Sequence, residues 1–362
     1  MRILIATGGT GGHIYPALAL ADELMSAYPD TKILFIGNND RMEAVEIPKH
    51  NYDFFGIDAK GFNGNSGDKI KSIQLMSKSF FLCRKKIKEF QADLVIGFGG
   101  YVTVPVIVAA STLGIPSIIH EQNSIAGMAN RFLSKFVKKV VCCYPEVMKD
   151  FNKDKTVLLG NPRASIAKRV TYNRDILKEF GLQPKRKTVF IVMGSLGSSS
   201  VNEKMIEALY KMDGRDYQVI YVTGKNGYDS FRKQFADTAN VKIVPYVNQV
   251  EIVANVDLVI SRGGATSASE ITALQKPSII VPSPYVPNNH QFINAKAMLD
   301  AGCALLLEEK DLTANSIYAM VESLIYDDKK LSDMSLAAQS LGFPNAAEDL
   351  VKLIKQVLGE NV

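Results

Sequence analysis

The stretch Gly8-Gly9-Thr10-Gly11-Gly12-His13 puts an imidazole at the end of a run containing four glycines. Glycine lets the backbone pass close to a ligand, and a helix that opens after such a loop points unpaired N–H groups at it. A loop that only binds phosphate needs no imidazole. An imidazole titrating near its usual pKa of about 6.5 is suited to taking a proton from an alcohol at neutral pH. A packing or N-cap histidine is the bland alternative; the neighbouring glycines expose His13 and favour the chemical role. Two familiar loop patterns fail here. A dinucleotide fingerprint starting at Gly9 needs glycine where Ile14 stands, and Gly37-Asn38-Asn39 offers no acidic residue for a ribose. No G-K-[ST] tripeptide follows to make a P-loop.

Further polar clusters repeat the theme. Gly97-Phe98-Gly99-Gly100-Tyr101 and His120-Glu121-Gln122-Asn123 each follow an apolar run. In the second half, Ser261-Arg262-Gly263-Gly264-Ala265-Thr266-Ser267 opens a helical pattern whose N–H groups and hydroxyls suit a diphosphate. Glu270 reads equally as a capping-box partner of Ser267 or as an acceptor for ribose hydroxyls. Asn288, Asn289 and Gln291, in a loop leading into a helix, carry both donors and acceptors for sugar hydroxyls.

The elements that must position these residues read as alternating strands and helices. Pro16 is expected in the first turn of the opening helix, where no amide donor is needed. Apolar strand candidates fall at 2–7, 32–36, 93–98, 116–120, 138–143 and 155–159, with helical patterns between most of them. Continuous runs such as Leu94-Val95-Ile96 suit parallel strands buried on both faces. The plan begins again at Thr188–Met193 with Gly194-Ser195-Leu196-Gly197. Strands near 217–223, 241–244, 256–261, 277–282 and 304–307 follow, and helices at 248–254, 267–274, 291–301 and 313–325. Two doubly wound α/β halves joined near Asn161-Pro162-Arg163, with a ligand cleft between them, are expected. Leu350, Leu353, Ile354, Val357 and Leu358 line one side of an amphipathic last segment, which covers a sheet or crosses back to the first half.

Composition bounds the rest. The 362 residues, 47% of them hydrophobic, suit two packed domains, and the formal net charge of +5 favours anionic partners. Cys83, Cys142, Cys143 and Cys303 show no zinc spacing, and no paired-carboxylate metal motif is visible. A reduced, cytosolic chain without export signal is expected. Segment 69–88 holds seven Lys/Arg and no acidic residue. At 100° per residue, Ile70, Ile73, Met76, Phe80, Cys83 and Ile87 form one stripe, read as core. Lys71, Lys78 and Lys85 lie opposite, flanking Leu75 and Leu82, either as a solvated face or as a surface dipping into an anionic leaflet. The absence of interleaved aromatics argues against nucleic acid.

Taken in order, these stretches, with Ile125-Ala126-Gly127, Gly160-Asn161-Pro162-Arg163 and Asn294-Ala295, resemble the MurG family of glycosyltransferases. The resemblance spans nearly the whole chain. It implies a GT-B fold, two Rossmann-like parallel-sheet domains with the active site in the cleft between them. Their bounds would be 1–163 and 164–342, with a C-terminal helix at about 343–362 that packs back on the first domain. It implies inverting transfer of N-acetylglucosamine from UDP-N-acetylglucosamine to the muramyl 4-hydroxyl of lipid I, giving lipid II for peptidoglycan, with no cofactor or bound metal. By matching motif, His13 would be the base and Glu121 its runner-up. Thr10, Gly11, Gly12, His13, Tyr101 and Glu121 would face the acceptor, the first three also lying near the donor. Ser195, Ala265, Thr266 and Ser267 would take the donor diphosphate, Glu270 the ribose, the backbone near Val247 the uracil, and Arg163 the nucleotide. Gln291 and Asn123 would read the sugar. The basic segment would rest on the anionic cytoplasmic face of the cell membrane as a peripheral contact. Two positions depart from the pattern: Gly263 stands where relatives often carry serine, and His290 where some carry a second glutamine. The alternatives are a related GT-B glycolipid synthase, a UDP-N-acetylglucosamine epimerase, or a non-catalytic sugar-nucleotide-binding subunit.

Overall fold

The computed structural model describes residues 1–61, 66–194 and 199–359. The chain divides into two compact units, Met1–Ser165 with Asn345–Val362, and Ile166–Pro344.

Among the described residues, unit 1 is built on seven parallel strands, β1 (Arg2–Ala6), β2 (Lys32–Asn38), β3 (Asp53–Ile57), β4 (Leu94–Gly97), β5 (Ser117–Glu121), β6 (Lys139–Cys142) and β7 (Thr156–Leu158), in the order β3-β2-β1-β4-β5-β6-β7. Between them run α1 (Gly11–Ala27), α2 (Met42–Lys49), α3 (Ser66–Phe90), α4 (Thr103–Thr112) and α5 (Met128–Leu133), and α6 (Arg163–Arg169) leads out of the unit. The continuous apolar runs are buried on both faces, as parallel strands require. Along β1, Ile3 and Ile5 join one core layer and Leu4 and Ala6 the other. β3 is an edge strand that periodicity does not flag, being only half-buried. The opening helix starts earlier than its sequence suggests. It begins at Gly11, so His13 sits in its first turn and Pro16 in its second.

Unit 2 repeats the plan with six parallel strands among its described residues. These are β8 (Thr188–Val192), β9 (Gln218–Val222), β10 (Val241–Val244), β11 (Leu258–Ser261), β12 (Ser278–Ile280) and β13 (Ala304–Leu306), in the order β10-β9-β8-β11-β12-β13. The helices are α7 (Ser199–Met212), α8 (Tyr228–Arg232), α9 (Gln249–Ala254), α10 (Ala265–Ala273), α11 (His290–Asp300), α12 (Ala314–Ile325) and α13 (Asp328–Ala338). The α7 and α12 side chains Met205, Leu209, Ile317 and Val321 pack on one face of the sheet. Residues of α9, α10 and α11, among them Val253, Ile271 and Met298, pack on the other.

The final helix, α14 (Ala346–Leu358), returns to unit 1, where Leu350, Leu353 and Ile354 join the core layer of Ile14 and Leu18. Its first turn is tied down by Ser165, whose Oγ donates to Glu348 Oε2 at 2.6 Å and accepts from the Ala347 N–H at 2.9 Å.

The α3 stripe differs from its periodicity. Ile70 and Ile73 are 59% and 57% exposed, while Met76, Cys83 and Ile87 are buried together with Ser72 and Ser79. The two serines seat the helix by donating to the carbonyls of Gly61 (3.0 Å) and Asp58 (2.7 Å). The helix is therefore rotated toward a serine-containing face, and its apolar residues partly line the outside.

Candidate functional site

In both units the strand order reverses beside the first strand, between β1 and β4 and between β8 and β11. Ligands of open parallel sheets bind at the carboxyl ends of the strands at such a reversal. Because β1, β4 and β5 are neighbours, their three following loops share one edge of the unit 1 sheet.

His13 is half-buried at this edge, and its Nδ1 lies 2.9 Å from the Gly8 carbonyl oxygen. A carbonyl only accepts, so Nδ1 carries the hydrogen and Nε2 is the basic nitrogen. The β4 loop supports the ring from below. Gly99 and Gly100 have φ of +95° and +84°, a Cβ on Gly99 would fall 2.9 Å from His13 Cδ2, and one on Gly100 would fall 2.6 Å from the Gly8 oxygen. Only glycine satisfies both the dihedrals and the space.

The β5 motif is tied down by its own hydrogen bonds. Glu121 is buried, and its carboxylate accepts from the Asn123 N–H (3.1 Å) and Nδ2 (3.4 Å) on one oxygen, and from the Gly127 N–H (3.0 Å) and Asn130 Nδ2 (2.9 Å) on the other. With four donors converging on it, the carboxylate organises the loop carrying Asn123. Gln122 donates to the Phe98 carbonyl at 2.8 Å, joining the β5 loop to the β4 loop. His120 is fully buried, stacks on Phe98 at 5.0 Å, and has Nε2 3.1 Å from the Gly160 carbonyl. Burial disfavours its charged form and pushes its pKa down to about 4, so it is neutral.

The remaining residues singled out in unit 1 fall nearby or apart. Thr10 is the N-cap of α1 without a side-chain cap bond, and Gly11 and Gly12 open the helix. Tyr101, at the end of the β4 loop, covers Gly61. Arg163 is the first residue of α6, its guanidinium over the Tyr15 ring at 5.9 Å. On α3, Lys71, Lys78, Leu82 and Lys85 are exposed and Leu75 is half-buried; Ile70, Ile73 and Phe81 (65%) join them on the surface.

In unit 2, α10 begins at Ala265 with Gly264 as N-cap. Ser267 is therefore inside the helix, and the capping-box reading of Glu270 falls away. Glu270 is buried and accepts from Gln249 Nε2 of α9 at 3.2 Å; the same amide donates to Ser267 Oγ at 3.3 Å. The Thr266 hydroxyl is buried and has no hydrogen-bond partner among the described residues. Such an orphan at a helix opening is what an oxyanion would satisfy. Val247 lies half-buried between β10 and α9. Gln291, in the first turn of α11, accepts from the Ser283 N–H at 2.9 Å. Gly263 meets the start of α11 so closely that a Cβ would overlap the Gln291 carbonyl, and Asn294 Nδ2 donates to the Gly263 oxygen at 3.0 Å. This explains why serine is not accommodated at 263 in this chain. Behind the loop, Arg262 pairs with Glu309 at 2.6 Å, both buried. Ser195 lies outside the described residues.

Sequence reasoning missed Glu43, Asn130 and Gln249 and carried Asn294 only within a family motif, without a role; all four are buried or half-buried polar side chains whose partners lie on other elements. Nothing in their local spacing sets them apart from ordinary helix-surface residues. Among the described residues, no group of His, Cys, Asp and Glu side chains is arranged to hold a metal ion, and no helix is long and apolar enough to cross a membrane.

Residues 3–142 match the glycosyltransferase family 28 N-terminal domain and residues 188–350 its C-terminal domain. A UDP-N-acetylglucosamine–N-acetylmuramyl-(pentapeptide) pyrophosphoryl-undecaprenol N-acetylglucosamine transferase of Bacillus cytotoxicus is 42% identical over 99% of this chain and 100% of its own length. The crystal structure of Acinetobacter baumannii MurG superimposes with a TM-score of 0.80 at 28% identity, covering 98% of this chain and 99% of that one. A UDP-GlcNAc 2-epimerase of Neisseria meningitidis, 15% identical with a TM-score of 0.68 over 98% of this chain and 100% of its own, shares the fold alone. The chain has the two-unit GT-B architecture and belongs to glycosyltransferase family 28, in its MurG branch.

Proposed function

We propose that the protein moves N-acetylglucosamine from UDP-N-acetylglucosamine to the 4-hydroxyl of the muramyl sugar of lipid I, with inversion, to give lipid II. The observation that carries the reading is the pairing of full-length 42% identity to a transferase of that name with an imidazole whose Nδ1–H is committed to the Gly8 carbonyl. In that tautomer Nε2 takes the proton of the 4-hydroxyl as its oxygen bonds to the anomeric carbon. The bond from that carbon to the diphosphate oxygen breaks on the opposite face, and UDP leaves with the electron pair.

Unit 1 supplies the acceptor groups, Thr10, Gly11, Gly12, His13 and Tyr101, with Glu121 holding the loop that presents Asn123. Unit 2 supplies the donor groups. The opening of α10 at Ala265, Thr266 and Ser267, with Ser195, takes the diphosphate; its N–H groups stabilise the charge that develops as UDP departs. Glu270 accepts from the ribose hydroxyls, Gln291 from the sugar, and the backbone near Val247 pairs with the uracil, while Arg163 contacts the nucleotide. The exposed α3 residues Lys71, Lys78, Leu82 and Lys85, joined by Ile70, Ile73 and Phe81, are suited to an anionic leaflet. Apolar side chains enter the acyl boundary while lysines meet the headgroups. On this reading the enzyme works as a peripheral protein at the cytoplasmic membrane face and takes no nucleic-acid partner.

The test is transfer of radiolabel from UDP-N-acetylglucosamine to a short-chain lipid I analogue. Acceptor-dependent labelled lipid is expected. Conversion of the donor without acceptor would favour an epimerase, and donor binding without turnover a silent subunit.

A further inference from the structure

The peptide bond between Gly8 and Gly9 is held at both ends. Its C=O accepts from His13 Nδ1 at 2.9 Å, and its N–H donates to Glu43 Oε2 at 3.1 Å. A peptide unit is planar, with C=O and N–H pointing opposite ways. Carboxylate and imidazole therefore sit at the two ends of one polarisable group. Glu43 lies in the first turn of α2 and is wholly buried. Its other oxygen accepts from the Asn38 N–H at 3.0 Å, at the end of β2. Two glycines make room for it: a Cβ on Gly8 would overlap Glu43 Oε1 and lie 2.8 Å from Cδ, and one on Gly37 would lie 2.5 Å from Cγ. A buried carboxylate is costly unless several donors meet it, so a carboxylate so enclosed at the foot of the glycine loop calls for a reason.

We propose that Glu43 is a positioning residue for His13, acting through the Gly8–Gly9 peptide to hold the imidazole in its Nδ1–H tautomer. Hydrogen bonds in series polarise one another. A carboxylate on the N–H makes the C=O a stronger acceptor, which orients the ring and fixes Nε2 as the basic atom. Carboxylates commonly do this to an imidazole directly; here one peptide stands between. The negative charge also favours the imidazolium formed when Nε2 takes a proton. Other titratable groups on elements around this loop include His120, which is neutral, Glu121, which holds four donors, Arg163, which lies over Tyr15, Arg41, which faces Asp40 at 3.9 Å, Lys49, which donates to Glu46 at 2.7 Å, and Tyr101, which covers Gly61. The kinetic consequence rests on the proposed function; the tautomer does not.

The decisive variant is Glu43→Gln, which keeps the volume, removes the charge and turns an NH₂ toward one of the two amides. Imidazole ¹⁵N NMR of the protein without substrates, assigned with His13→Ala, reads the tautomer. The wild type is expected as Nδ1–H and Glu43→Gln as a mixture. In the transfer assay kcat should fall roughly 10- to 100-fold, the size of effect typical for a group that orients a functional imidazole from behind, with donor KM within about twofold. If Glu43→Gln does not fold, the same readings on Glu43→Asp apply, because the shorter carboxylate cannot span both amides. An unchanged tautomer in the folded variant, or an unchanged kcat, overturns the proposal. A wild type that makes no labelled lipid would instead sink the functional reading and leave the NMR result to decide this one.

Discussion

Replacing Gly263 with alanine would add one methyl group between the openings of α10 and α11. Its carbon would overlap the Gln291 carbonyl oxygen and lie 2.9 Å from the carbonyl carbon and 3.2 Å from Cα. Non-bonded carbons rest at about 3.5–4.0 Å, so the first turn of α11 must withdraw by roughly 1 Å. That withdrawal strains the Asn294 bond to the Gly263 oxygen (3.0 Å) and carries Gln291 away from the Ser283 N–H (2.9 Å). Overpacking of this kind costs about 1–3 kcal/mol. For a unit of this size each kcal/mol lowers Tm by about 2–4 °C. A misplacement of about 1 Å in a substrate-positioning group costs up to about 10²-fold. The assay is steady-state transfer with UDP-N-acetylglucosamine varied, beside competitive inhibition by UDP alone and a thermal melt. Donor KM should rise about tenfold or more, while inhibition by UDP, which lacks the sugar, should change by less than about threefold. A donor KM and Tm both at wild-type values would refute the reasoning, because α11 would then have yielded without disturbing Gln291.

Other substitutions test separate parts of the site. His13→Ala should lower turnover roughly 10²–10⁴-fold with UDP binding intact, and near-normal turnover would reject it as the base. Glu270→Ala should weaken UDP binding measured by calorimetry by about 1.5–3 kcal/mol, the value of hydrogen bonds to a charged group; affinity within twofold would remove Glu270 from the nucleotide site. Lys71→Glu, Lys78→Glu and Lys85→Glu together should weaken binding to vesicles of anionic phospholipid by at least about 3 kcal/mol, at about 1 kcal/mol per basic residue, and leave transfer to a water-soluble acceptor unchanged. Equal vesicle binding would free α3 of that role. His120, with its pKa depressed to about 4, is protonated first in the unfolded chain. Its contribution is complete above about pH 6.5 and is lost as pH falls toward 4, roughly 2–3 kcal/mol between pH 7.5 and 4.5. Urea melts across that range should show a shallower acid loss in His120→Gln; identical slopes would assign the loss elsewhere.

How far the sequence carries can be judged residue by residue. The parallel strands were legible because Leu94-Val95-Ile96 and Ile118-Ile119 are unbroken apolar runs, which only two-sided burial explains. The glycine loops were legible because their spacing from those strands puts them at one sheet edge. β3 was not, because an edge strand with Asp53 exposed and Phe54 and Phe55 half-buried lacks both signals. The α3 stripe misled because hydrophobic periodicity gives serine no weight, and Ser72 and Ser79 face inward through hydrogen bonds. Glu270 was ambiguous by spacing, and its capping-box reading fell away once α10 began at Ala265. Glu43 was invisible, since Asp40-Arg41-Met42-Glu43 reads as solvated charge and its partners Gly9 and Asn38 belong to other loops.

The placement of α14 has a consequence for how the chain is made. Unit 2 is one uninterrupted stretch, Ile166–Pro344, set inside the two pieces of unit 1. On the ribosome the second unit is complete before the first. After α1 is made, residues 28–345 must be added before α14 can begin to cover Ile14 and Leu18. At about 5–20 residues per second that takes roughly 15–60 s, during which an apolar strip on the nascent chain is open to chaperones and to neighbouring chains. A message broken off between residues 306 and 345 would release a second unit with all its described strands and a first unit lacking one wall. The half of the enzyme synthesised first is the half that finishes folding last.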